Sequence, residues 1–80
     1  MATPERIVDL RKELPGARHQ LIFDIFASLA PGAALVLVHS REPKPLYYKF
    51  TKRYPNEFSW DYLEEGPEAW RVRIVRRVAA

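Results

Sequence analysis

Runs of apolar and polar residues divide the chain into six segments, punctuated by proline and glycine. Ile7 to Leu10 is a short β-branched run that reads as a first strand, because branched side chains suit a pleated sheet. Leu14-Pro15-Gly16 breaks it, and Pro15 fits an early helical position, where its missing N–H would be unpaired anyway. The spacing then predicts a helix over about Ala17 to Leu29. Leu21, Ile22, Ile25, Phe26 and Leu29 form one apolar stripe, with Gln20, Asp24 and Ser28 opposite. Phe23 falls outside that stripe and is expected to be partly exposed. Ala30-Pro31-Gly32 ends the helix, and Ala33 to Val38 is a continuous apolar run, the pattern of a strand buried on both faces.

Pro43 and Pro45 open a second helix over about Pro45 to Tyr54. Leu46, Tyr47, Phe50 and Tyr54 supply its buried stripe, and Lys49, Lys52 and Arg53 face solvent. Phe58, Trp60 and Tyr62 alternate with Ser59, Asp61 and Leu63, a period-two strand. Glu65-Gly66-Pro67 makes a turn, and Trp70, Val72 and Ile74 alternate with Arg71, Arg73 and Val75 in a last strand. Pairing Glu64 with Glu68 sets Tyr62 against Trp70 and Asp61 against Arg71, a register that joins aromatic to aromatic and acid to base. The order is β-α-β-α-β-β, an α+β fold in one domain, residues 1–80.

Composition narrows the chemistry. Eighty residues bury roughly 60% of the unfolded surface, so the core is thin. The chain has no cysteine, which excludes disulfides, thiolate metal sites and a cysteine nucleophile. Two histidines, His19 and His39, are too few for a histidine-rich metal site. No apolar run approaches the ~20 residues of a membrane span, and Met1 to Arg6 lacks a signal-peptide layout, so a cytoplasmic protein without membrane contact is expected. The net charge of +3 is mildly basic. Arginine outnumbers lysine nine to four, a bias shared with thermophiles and GC-rich genomes.

The element order also indicates where a ligand would sit. A strand, a helix and a second strand in succession predict a parallel crossover, and open α/β sheets bind ligands beyond the carboxyl ends of such strands. Asp9 and Arg11 follow the first strand; His39, Ser40, Arg41, Glu42 and Lys44 follow the second. The candidate ligand-binding residues are therefore Asp9, Arg11, His39, Arg41 and Lys44, at helix N-termini whose dipoles favour an anion. The alternative is an ordinary polar turn, with Arg11 paired to Asp9 or Glu13. His39 lacks a partnered nucleophile, so no catalytic residue, enzyme activity or cofactor is expected. His19 is expected to pack against Phe23 or to hydrogen-bond locally. Arg71, Arg73 and Arg76 offer an alternative nucleic-acid surface, with Trp60 and Trp70 as stacking platforms. The alternation argues against it, because aromatics and arginines point to opposite faces. The last hairpin also leaves an edge strand, which makes a homodimer plausible.

Asp9-Leu10-Arg11, Pro43-Lys44-Pro45-Leu46-Tyr47-Tyr48, the stretch from Phe58 to Pro67 and Trp70-Arg71-Val72-Arg73-Ile74 carry a resemblance. The chain resembles a bacterial domain-of-unknown-function family related to the sulfur carriers TusA and SirA. The resemblance implies a TusA-like two-layer sandwich: a four-stranded mixed sheet with two helices on one face. It also implies an accessory part in redox or metal metabolism, since such domains are found attached to hemerythrin-like or cupin domains. Two departures stand out. The carriers place Cys-Pro at the start of the first helix, where this chain has Leu14-Pro15. Members of the closer family show Asn-Asp-His-Asp where this chain has His39-Ser40-Arg41-Glu42, so Arg41 stands at the histidine position. The expected ligand is a small anion or an acidic protein partner.

Overall fold

The computed structural model describes residues 5–78; of the N-terminal stretch read for a signal layout, residues 1–4 lie outside them. Strand β1 (Arg6–Asp9) is followed by a 3-10 turn over Leu10–Lys12, and a second such turn, Pro15–Ala17, leads into helix α1 (Arg18–Ser28). Strand β2 (Ala34–His39), helix α2 (Lys44–Arg53) and strands β3 (Phe58–Glu65) and β4 (Trp70–Arg76) complete the expected order. The four strands form one mixed sheet in the order β1-β2-β4-β3. β1 and β2 are parallel, and β4 runs antiparallel to both of its neighbours. Within residues 5–78 no helix is long and apolar enough to cross a membrane.

Both helices cover the same face of the sheet. Val8, Leu35, Leu37, Val72 and Ile74 of the sheet share one buried cluster with Ile22, Ile25 and Phe26 of α1 and Leu46 and Phe50 of α2. Phe50 is fully buried and lies within 6.0 Å, centroid to centroid, of Phe23, Phe26, Tyr54, Phe58 and Trp60. On the opposite face Val36 and Val38 are also buried, as the apolar run of β2 predicts. The register sets Arg73 opposite Val36 and Arg71 opposite Val38. Arginine stems of this kind cover apolar surface while their heads stay in water.

Three expectations need correction. Phe23 is buried, because α1 packs against α2 as well as the sheet, so its apolar face is wider than one stripe; Phe23 stacks 4.8 Å from Phe50. Tyr47, expected in the buried stripe of α2, is 37% exposed. The hairpin register is displaced by two residues: Asp61 faces Arg73 and Tyr62 faces Val72. An irregularity between Tyr62 and Glu64 then brings Glu64 opposite Arg71 and Glu65 opposite Trp70. This arrangement separates Glu64 from Glu68 and gives Arg71 a carboxylate at 2.9 Å. Gly66 turns the chain at φ +67°, and a Cβ there would stand 2.8 Å from the Trp70 indole nitrogen.

Candidate functional site

The residues expected at the strand ends separate into three groups. Asp9 and Arg11 close on each other. The Asp9 carboxylate accepts from the Arg11 backbone N–H at 3.0 Å and from its Nε and Nη2 at 2.9 and 2.8 Å. The guanidinium bonds hold the Asp9 pKa down at about 2. Val8, the preceding residue, joins the core, so alternation along β1 directs Asp9 to the helix-free side. Lys44 sits 3.5 Å from Glu42 and lines an aromatic groove with Tyr47, Tyr48, Trp60 and Tyr62.

His39 and Arg41 stay together. His39 has the parity of Leu35 and Leu37, both in the core cluster, and so faces the helices. It lines a small cavity of about 80 Å³ with Leu10, His19, Arg41, Glu42, Pro43, Pro45 and Leu46. The cavity lies between the start of α1, which contributes His19, and the start of α2, which contributes Pro45 and Leu46. His39 Nδ1 accepts from the Arg41 backbone N–H at 3.2 Å. That bond assigns the ring proton to Nε2, leaving a neutral imidazole with one donor to offer.

The two histidines lining the cavity are perturbed in the same direction. Burial lowers the His39 pKa, and the charges of Arg18, Arg41 and His19 lower it further. Burial and the nearby Lys49 ammonium do the same to His19, whose Nδ1 lies 2.9 Å from Lys49 Nζ. Neither helix has a side-chain cap or an acid in its first turn. Arg18 and Lys44 thus occupy the positive ends of two helix dipoles, where a cation costs about 0.3–1 kcal/mol. Glu42 is the one carboxylate lining the cavity. Arg18 uses its Nε to hold the Glu13 carbonyl at 3.1 Å. Chemically, the arrangement offers N–H donors and positive charge to a carboxylate or phosphate. Among the described residues no three His, Asp or Glu side chains are grouped to hold a metal.

Sequence reasoning missed Arg18 and His19. The signal is two basic residues in the first turn of a helix with no acid beside them, whereas the expectation for His19 is packing against Phe23 or a local hydrogen bond. The alternative nucleic-acid residues are engaged elsewhere. Arg71 pairs with Glu64, Arg73 with Glu5, and Arg76 Nη1 donates to the Ala27 and Leu29 carbonyls. The two tryptophans stand on the helix side. Trp60 packs against the core, and Trp70 lies 6.0 Å from Tyr62.

A family model described as an uncharacterised conserved protein, DUF2249, matches residues 7–76, from the first strand to the end of the last. No curated protein and no solved structure matches the chain.

Proposed function

We propose that this chain, which belongs to the uncharacterised conserved family DUF2249, is a non-enzymatic binding module that takes an anionic group in the cavity between its two helix starts. One observation carries the reading: cations gather where both helix dipoles are also positive, and neither first turn holds an acid. Folding alone gains nothing from that placement, whereas an anion at the same point would be attracted by the cations and both helix dipoles and opposed only by Glu42, which Lys44 already pairs. His39 offers its Nε2–H, Arg41 its guanidinium, and Arg18 the part of its guanidinium not bound to Glu13. Glu42, in the wall of this cavity, is paired with Lys44, while the Asp9–Arg11 pair lies apart from it on the helix-free side.

The likeness to TusA and SirA carriers belongs to the same proposal, together with a bacterial source, a cytoplasmic location and an accessory part in redox or metal metabolism. It is supported by the β-α-β-α-β-β order and by Leu14-Pro15 ahead of α1. Sulfur carriage on cysteine is not part of it, since the chain has none. Thermal melts with orthophosphate, or with succinate, test the reading in the intact chain and in Arg41→Ala. A ligand bound only by the folded state raises the Tm with concentration. The expected result is a rise that Arg41→Ala largely loses. Equal rises in both proteins, or none in the parent at matched ionic strength, would overturn it.

A further inference from the structure

Four ion pairs are found among the described residues, and they take up Arg11, Lys44, Arg71 and Arg73. Lys49, Lys52 and Arg53 belong to none of them. All three project into the groove between α1 and α2, an open space of about 480 Å³ that they line with His19, Gln20 and Phe23. No carboxylate lines this groove. The nearest acid on α1, Asp24, already accepts from Gln20 Nε2 at 2.7 Å.

The helix does not need this arrangement. α2 contains no acid in its ten residues, so Lys49 meets Lys52 and Arg53 at the i+3 and i+4 positions, where like charges repel. Lys52 and Arg53 sit in the last turn and gain from the helix dipole; Lys49 lies a turn deeper, where that gain has faded. Arg53 is held in place with its guanidinium 4.8 Å from the centre of the Phe23 ring. Lys49 directs one N–H at His19 Nδ1 and keeps two for a ligand. His19 lines both this groove and the cavity at the helix starts, so the two spaces share a wall.

From this we infer that the groove is the outer half of one anion-binding surface, and that its ligand is a polyphosphate chain, bare or as the tail of a nucleotide. The inner half rests on the reading above; the outer half stands on the groove itself. Lys49 and Arg53 are four residues apart, about 6 Å along the helix axis. They are spread to meet successive phosphates, and a single one would leave part of the charge unused. The volume of the groove falls within the range of small-molecule sites.

Calorimetric titration of the intact chain with tripolyphosphate, ATP and orthophosphate, at fixed ionic strength and without divalent cations, tests this. Tripolyphosphate is expected to bind at least about tenfold more tightly than orthophosphate. Lys49→Gln, Lys52→Gln and Arg53→Gln should each weaken tripolyphosphate by about fivefold, the scale of one exposed ion pair, and leave orthophosphate within twofold. Arg53→Lys keeps the charge if loss of the Phe23 stack unfolds Arg53→Gln. Lys12→Gln, outside the groove, should bind like the parent. Tighter binding of ATP than of tripolyphosphate assigns a nucleotide tail, and equal binding a bare chain; either supports the inference. Groove variants that bind tripolyphosphate like the parent, or no preference for it over orthophosphate, would sink it. Orthophosphate binding sensitive to Arg41→Ala but without that preference removes the groove alone. Tripolyphosphate binding sensitive to the groove variants but not to Arg41→Ala supports the groove and removes the inner site.

Discussion

Replacing Arg76 by methionine separates a structural arginine from a ligand-binding one. Arg76 ends β4, and its Nη1 donates to the carbonyls of Ala27 and Leu29 at 3.0 and 2.9 Å. These lie at the C-terminal end of α1, where the last carbonyls of a helix lack partners within it. Hydrogen bonds from a charged donor contribute about 1.5–3 kcal/mol each. Here one nitrogen serves two partly exposed acceptors, so the pair contributes about 2 kcal/mol together. Methionine keeps the stem near the Phe26 ring, which lies 5.8 Å from the guanidinium carbon, and leaves intact the backbone bonds from Gly32 to Arg76 and from Arg76 to Ala33. A chain of this length has about 4–12 kcal/mol of stability in all. The substitution should therefore lower the Tm by about 8–16 °C, as 1 kcal/mol is about 4–8 °C in so small a domain. Thermal and urea melts followed by circular dichroism measure it. Arg71→Met is the contrast: its partner Glu64 is half exposed, and the loss should stay within about 1 kcal/mol. A Tm for Arg76→Met within about 2 °C of the parent would refute the reasoning and return Arg76 to the pool of ligand-binding candidates.

Two other outcomes follow from the same geometry. The Asp9 pKa falls from 3.8 to about 2 in the folded protein, so Asp9 stabilises the fold above pH 4 and loses that contribution as the pH drops toward 2. The full shift would be worth about 2.4 kcal/mol, but the side chains of Arg11 and Asp9 are 43% and 20% exposed, and solvent reduces this to about 1 kcal/mol. Asp9→Asn should cost that amount at pH 7 and flatten the acid limb in urea melts between pH 2 and 7; an unchanged limb contradicts the assignment. Gly66→Ala places a methyl 2.8 Å from the Trp70 nitrogen at a positive φ, and should cost about 2 kcal/mol by the same melts, whereas Gly16→Ala, with open space around it, should be nearly neutral.

The elements were legible because each has a period. Leu46 and Phe50 marked α2, Val72 and Ile74 marked β4, and the observed bounds fall close to the expected ones. The hairpin register was not legible, for a physical reason: a slip of two residues leaves the same side chains inward, so alternation cannot tell one register from the other. The irregularity beside Leu63 leaves no mark in the pattern either. Phe23 was misplaced because a stripe shows what a helix turns toward one partner, and α1 has two. For the candidate site, topology placed Asp9, Arg11, His39, Arg41 and Lys44 near the strand ends, and parity along each strand then divided them. Counting from Leu37 already puts His39 with the helices, and counting from Val8 puts Asp9 away from them. The Lys49–His19 contact joins residues thirty positions apart and had no local signal.

The division of charge between the two faces links these observations. On the helix-free side Arg11, Arg71 and Arg73 each have a carboxylate, so the arginines that dominate the last strand are matched where they stand. Five of the cations outside the four pairs lie on the helix layer: Arg18 and Arg41 around His39, then Lys49, Lys52 and Arg53 beyond His19. A basic net charge alone says nothing about which face an anion would meet. Pairing separates the two faces, because a matched arginine shares its donors with a carboxylate and an unmatched one does not. The two histidines sharpen the distinction. Burial and neighbouring cations keep both neutral near pH 7, so repulsion limits the charge this surface carries without a ligand. An anion placed among them would relieve that repulsion and raise both pKa values, so the side chains that tolerate the crowding are also those that would report its relief.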